Sequence, residues 1–340
     1  MTATTLARSS RVARAGTVAL ALAATALTVS GPASAPAVPV DVAVATAGPD
    51  VVAACLSAPS VQRVRADSGR DGVDPNDLAP AQVTQAEARL AARTRQRGTG
   101  SARASVTTIT IDVYVHVITT DAGKGGVSRS RIKKQVAVLN KAYAGRTSSS
   151  STKTPFSFRL KAIDKTKSSD WYHWSSPDVD DSDDVEAKTA LHRGGPDDLN
   201  LYVASLGSDL LGYSSFPFDT ALARDGVVVL NASLPGGSAK GYDRGDTATH
   251  EVGHWLGLFH TFENGCASPG DEVDDTPAQA DGQNIFSCDS KLDTCTSAGR
   301  DPVHNFMSYG DDKCLNRFTS GQVARMTAVW QAYRATGAAS

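Results

Sequence analysis

Thr249–His260 reads THEVGHWLGLFH and holds three of the seven histidines of a 340-residue chain. His250 and His254 are four residues apart. On an α-helix that spacing puts both imidazoles on one face, a turn apart, where they can reach one ion. Glu251 is the next residue round the helix. It stands beside such an ion rather than on it, within reach of a water. His260 follows six residues after His254, too far along a straight helix. Gly257 resolves the distance, because glycine adopts the left-handed conformation that ends a helix and turns the chain back. Three nitrogen ligands leave a fourth position open, the pattern of a catalytic rather than a structural zinc. The full H-E-x-x-H-x-x-G-x-x-H pattern arises by chance in a chain of this length with a probability on the order of 10⁻⁵. An ordinary buried helix with incidental histidines is therefore a poor explanation.

The chemistry expected of such a centre is hydrolysis. Zinc lowers the pKa of a water and polarises a carbonyl. Glu251 then has a role as general base and later as general acid. Two other readings compete: a catalytically silent zinc- or calcium-stabilised binding module, and a zinc hydrolase of non-peptide amides. Glu251 argues against the first, since ligation alone has no use for a carboxylate at that position. His116, His173, His192 and His304 have no ligand spacing and are expected to be structural or surface residues.

The rest of the chain places this centre in an exported protein. The charge of -2 shows no basic excess, so no nucleic-acid partner is expected. Arg8, Arg11 and Arg14 precede an apolar run, Gly16–Ser30, of signal-peptide length and too short to span a bilayer. Cleavage after Ala35, Ala45 or Ala47 remains open. No other run is long and apolar enough for a membrane anchor, and a monomer is expected. Residues 36–59 hold few large apolar side chains and cannot build a core. Gln82–Arg97 reads as a short helix. It ends in Arg93, Arg95 and Arg97 before Gly98-Thr99-Gly100-Ser101, a basic, exposed join suited to proteolytic nicking. The expected division is a signal peptide over 1–47, a pro-segment over 48–103 and a catalytic domain over 104–340.

From Val106 the pattern is that of a packed domain. Thr107–Thr119 alternates β-branched and polar residues and predicts a strand, as do Phe156–Ile163, Leu199–Val203 and Gly226–Asn231. Ile132–Tyr143 and Gln322–Arg334 carry apolar residues at helical spacing, the latter behind a Thr319–Gln322 capping box. The class is α/β or α+β. Cys266, Cys288, Cys295 and Cys314 cluster late, at spacings that lack the close pairs of zinc sites. In an exported chain they predict two disulfides, with three connectivities open. Cys55 stands alone, far upstream.

The zinc motif, together with Asn305-Phe306-Met307-Ser308-Tyr309, resembles the metzincin peptidases. HTFENGC (260–266), DEVDDTP (271–277), NFMSYGDDKC (305–314) and FTSGQVARM (318–326) narrow the resemblance to the pappalysin family and its ulilysin-like secreted members. It runs from Val106 to Arg334. It implies a metzincin-like fold: a twisted mixed sheet with an active-site helix, and a smaller C-terminal lobe below the zinc cleft. It implies a secreted endopeptidase acting on proteins or peptides, with His250, His254 and His260 on zinc and Glu251 as base. Met307 would lie beneath the metal as the Met-turn residue, and Tyr309 would donate to the oxyanion. The implied disulfides are Cys266–Cys295 and Cys288–Cys314. Asp271, Thr276 and the Val273 carbonyl would bind calcium, a hard ion that suits an acidic loop. Cys55 would be the zinc ligand of a latent zymogen, though no glycine follows it here. Gly212 and Tyr213, within Leu211–Ser215, would form the rim on which a substrate adds as a strand. Lys313 would wall the S1′ pocket, where an arginine-preferring relative carries an acid.

Overall fold

The β-branched run at the head of the domain forms β1 (Ile109–Thr119), and both its edges are paired. β2 (Phe156–Lys167) and β3 (Leu199–Ala204) flank it in parallel, with a bulge after Val113. β5 (Val227–Leu230) continues the parallel sheet beside β3, and β4 (Gly212–Ser214) closes it antiparallel to β5. The strand order is β2-β1-β3-β5-β4, a mixed five-stranded sheet. The computed structural model describes residues 78–97, 108–174, 182–207, 210–218 and 221–336, which fall within one compact unit. The targeting segment, Cys55 and the join at 98–107 lie outside the described residues.

The inner strands are buried on both faces, as parallel sheets are, while the outer strand β2 is partly exposed, and a period of two sorts the side chains. Val113, Val115, Leu201, Val203, Val227 and Val229 face α2 (Arg129–Tyr143) and α5 (Asp246–Trp255). Ile118, Tyr202, Ala204, Val228 and Leu230 face a second core with Trp174 and Tyr213. Two short helices lie on this second side, α3 (Ser169–Tyr172) and α4 (Ser182–Leu191). Among the expected strands and helices, cores and boundaries agree to within a few residues. β4, α3 and α4 had no sequence signal: β4 is three residues long, and α4 begins in an acidic run.

His116 sits in this second core, fully buried and stacked on Tyr202 at 4.8 Å. Its Nδ1 is 3.0 Å from the Asp164 carboxylate and its Nε2 is 2.9 Å from Asn200 Oδ1. That makes it a structural residue of the sheet.

Helix α5 is the element that the fold is built to hold. All ten of its residues are buried. Gly245 at φ 99° starts it, and Asp312 accepts from the Arg244 and Gly245 amides at 2.7 and 3.1 Å. Tyr143 of α2 donates to the Thr249 carbonyl at 3.1 Å. At its other end, Trp255 Nε1 donates to Asp225 Oδ2 at 2.9 Å, and Arg334 Nε donates to the Trp255 carbonyl at 2.8 Å. Asp225 and Arg334 also pair directly at 2.8 Å, both buried.

The lobe after His260 is loop-rich, and two disulfides tie it, Cys266–Cys295 and Cys288–Cys314. It ends in α6 (Ser320–Val329), which continues as a wider turn over Trp330–Arg334. Thr319 Oγ1 accepts from the Gln322 amide and Gln322 Oε1 from the Thr319 amide, so the capping box forms as its spacing predicts. Upstream of the join, α1 (Pro80–Gln96) packs Val83 and Ala86 against Phe216 and Phe259.

Candidate metal centre

The three histidines of the zinc motif meet. His254 Nε2 lies 3.0 Å from His250 Nε2 and 3.1 Å from His260 Nε2, and all three rings are buried. Tetrahedral ligand positions around an ion at about 2.0–2.1 Å lie roughly 3.3 Å apart, so the nitrogens are close to the spacing zinc needs. Their other sides set the tautomer for two of the rings. His250 Nδ1 donates to the Phe306 carbonyl at 2.6 Å and His254 Nδ1 to the Leu258 carbonyl at 2.7 Å. With the proton held on Nδ1, each Nε2 presents its lone pair to the common point. Three imidazoles converging in this way are a donor set that fits zinc.

The return of the chain is set by Gly257, at φ 90°. Its amide donates to the His254 carbonyl at 2.7 Å, and the Leu258 amide donates to the Gly253 carbonyl at 3.0 Å, closing the helix end. A side chain at 257 would also strike Val329, within 2.7 Å. His260 then stacks on Phe262, ring centroids 4.7 Å apart.

Met307 and Tyr309 lie against the same centre. Met307 is fully buried, and a Cβ built on Gly253 would fall 2.4 Å from its sulfur. Gly253 is the gap through which Met307 reaches the helix. Nothing in the motif's spacing marks it, although it lies between the two helix histidines. Tyr309 points its hydroxyl at His260 Nε2, 3.3 Å away.

Glu251 is buried on the side of α5 that meets β4. A Cβ built on Gly212 would fall 3.0 Å from Glu251 Cγ and 2.9 Å from the Val228 carbonyl. Gly212 therefore leaves the room that the carboxylate occupies. The neighbouring Tyr213 points the other way, as strand periodicity requires, and donates to Asp184 at 2.5 Å. Only its main chain is left to meet a substrate. Gly212→Val is expected to displace the carboxylate by about 1 Å and lower kcat/KM by about 10²-fold. Steady-state rates on a fluorogenic peptide check this, and an unchanged rate would show that Glu251 tolerates the crowding.

The acidic loop separates by role. Asp275 accepts from Ser320 Oγ at 2.7 Å and the Gly321 amide at 2.8 Å, at the start of α6. Burial opposes its ionisation, but hydrogen bonds from Thr319, Ser320 and Gly321 hold its carboxyl below the usual range. Asp271 is buried, and burial pushes its carboxyl up to about 7 against the Val273 amide that donates to Oδ1. Thr276 faces the same carboxylate and, with the Val273 amide, works against the effect of burial; Asp271 and Thr276 are both buried. The Val273 carbonyl accepts from the Thr276 amide at 3.1 Å and keeps a second lone pair. A buried carboxylate, a hydroxyl and a carbonyl oxygen gathered in one acidic loop are hard donors that fit a cation such as calcium. Lys313 is exposed and pairs with Asp311 at 3.1 Å.

The profile of the Peptidase M43 family, described as pregnancy-associated plasma protein-A, matches residues 211–331, the span that carries this centre. An extracellular metalloprotease of Arthroderma benhamiae is 40% identical over 226 residues, covering 64% of this chain and 71% of the relative. Another, of Neurospora crassa, is 42% identical over 223 residues, covering 64% and 72%. The chain belongs to the M43 family. Its fold is similar to that of mirolysin. A promirolysin variant of Tannerella forsythia matches with a TM-score of 0.61 at 30% identity, covering 75% of this chain and 88% of that one. Mature mirolysin in complex with a cleaved peptide matches at 0.57 and 31%, covering 67% and 96%. This M43 chain is a metalloendopeptidase. No described helix is long and apolar enough to cross a membrane.

Proposed function

We propose that this M43 peptidase is a secreted zinc endopeptidase, made as a zymogen and stabilised by calcium. The convergence of three Nε2 atoms beside a buried Glu251 carries the reading. His250, His254 and His260 would hold the zinc, whose chemistry is to acidify a water and polarise the scissile carbonyl. Glu251 takes the proton of the attacking water and passes it to the leaving amine. Tyr309 donates to the oxygen that gains charge. β4, the edge strand beside Glu251, offers its main chain to an extended substrate.

Metal content and casein hydrolysis test this together. One zinc per chain and hydrolysis lost to a zinc chelator are expected. A calcium-selective chelator should lower the melting temperature, with Asp271→Asn reproducing the loss. Zinc without hydrolysis of any protein would favour a binding module or a hydrolase of non-peptide amides instead.

Two finer expectations follow from the same reading. The pro-segment over 48–103 supplies Cys55 as the latent form's zinc ligand, a thiolate being a good fourth donor. Cys55→Ser should raise autoactivation of the full-length chain, followed by gel electrophoresis over time; unchanged latency removes the idea. Lys313 opposes a basic side chain at P1′, tempered by Asp311. Peptide-library profiling should show weak selection for Arg there, and a dominant Arg would refute the assignment.

A further inference from the structure

Helix α1 lies in the segment expected to be cut away, yet it is built into the catalytic unit. Val83 and Ala86 are buried against Phe216 and Phe259, with Leu78 and Phe218 at the margin. Arg89 donates to the Phe218 carbonyl at 3.0 Å, and Arg93 lies 4.4 Å over the Tyr333 ring. The contact that matters most is Glu87 with Arg325, at 2.5 Å. Arg325 is buried, its Nε donates to the Gly257 carbonyl at 2.8 Å, and its guanidinium lies 4.5 Å over the Phe259 ring. Gly257 and Phe259 belong to the turn that carries the chain from His254 back to His260. On the other side of the same cluster, Phe216 packs edge-on to the His254 ring at 5.4 Å.

We propose that Phe216, Phe218, Phe259, Arg325 and Tyr333 form a docking surface whose occupant is α1, and that docked α1 holds the metal centre's return turn through Glu87 and Arg325. The inference rests on the zinc reading above. Its physical basis is the charge on Arg325. A buried guanidinium that loses its carboxylate is strongly destabilised and turns toward water. Turning out removes the donor from the Gly257 carbonyl and the cation from Phe259, and the turn that leads into His260 loses an anchor. Groups bonded to a ligand itself change metal affinity by about 10–100-fold, and an anchor one step further back is expected at the low end of that range. The contact also depends on the join. Most helical stability in proteins comes from packing an apolar face, and α1 buries only Val83 and Ala86. Its docking relies on the effective concentration that the tether supplies. Cutting the 98–107 join therefore lets α1 leave and loosens the turn behind His260.

The test uses the full zinc-loaded chain on a Glu251→Ala, Cys55→Ser background, which prevents self-cleavage and takes the pro-segment thiol off the zinc. Zinc release to a chromogenic chelator is timed, and amide hydrogen exchange over 80–96 reports docking. Glu87→Gln is expected to speed release about tenfold, with Glu87→Asp in between. Val83→Asp should undock α1, raise exchange across it, and speed release at least as much. Cutting a specific protease site placed in the join should do the same. A helix with a merely structural role would lower the melting temperature in these variants and leave the release rate unmoved. A zinc-loaded chain whose release ignores Glu87→Gln overturns the coupling. Unchanged exchange in Val83→Asp overturns the docking surface. A chain that binds no zinc overturns the zinc reading, and this inference with it.

Discussion

Glu251→Gln is expected to lower kcat/KM on a fluorogenic peptide by about 10²–10⁴-fold while zinc content stays at the wild-type level. The two side chains are nearly the same size, so the amide fits the space that Gly212 leaves. What it lacks is basicity: it cannot take a proton from the attacking water or return one to the amine. Because Glu251 lies one residue from His250 on the helix, it is beside the ligands and not among them. Metal content therefore separates the two roles that this carboxylate could have. Equal losses of zinc and activity would make Glu251 a ligand or a structural residue. Retention of activity within tenfold would remove it from the reaction.

The second large effect is on stability. Asp225→Asn is expected to lower the unfolding free energy by about 3–5 kcal/mol, because it leaves Arg334 buried and uncompensated. Arg334 donates to Asp225 through both terminal nitrogens, at 2.8 and 3.1 Å, and its guanidinium lies 3.5 Å over the Trp255 ring. Ser215 and Trp255 complete the set on Asp225, at 2.7 and 2.9 Å. The sign with pH follows from the carboxyl. Burial alone would raise its pKa, but the charge and hydrogen bonds of Arg334, with those of Ser215 and Trp255, outweigh burial and hold it low. A carboxyl with a depressed folded pKa adds stability above its unfolded value near ~3.9. That contribution is lost as pH falls through the folded pKa. The gap between wild type and Asp225→Asn, read by urea melts, should be full at neutral pH and narrow below about pH 4. Arg334→Met with Asp225→Asn should cost less than the two singles added together. A gap that widens in acid would contradict the pair's assignment.

The metal centre was legible because its pattern is local. Helix geometry relates His250 to His254 without reference to the rest of the chain, and Gly257 supplies a turn that other residues take only with strain. β1 and β2 were legible from alternation along the strand, and β3 and β5 as short apolar, β-branched runs buried throughout. The disulfide number followed from cysteine count and export, but the pairing came only from the family resemblance. Helix α1 read as a short helix ahead of a solvated join, since it buries just Val83 and Ala86 and carries no continuous apolar stripe. Its docking depends on Phe216, Phe259 and Arg325, none of which is near it in the chain.

Sequence alone determined which residues could bind a metal, which carboxylate stands beside it, and that the chain folds as mixed α and β. Each is a matter of spacing along one element. Tertiary structure decided what makes those residues work. The carbonyls of Phe306 and Leu258 hold the protons of His250 and His254, Gly253 admits Met307, Gly212 admits Glu251, and Asp225 meets Arg334 across 109 residues. Such partners are chosen by packing. Backbone acceptors have no residue type, and a space is recorded in sequence only as a glycine whose neighbour lies elsewhere in the chain.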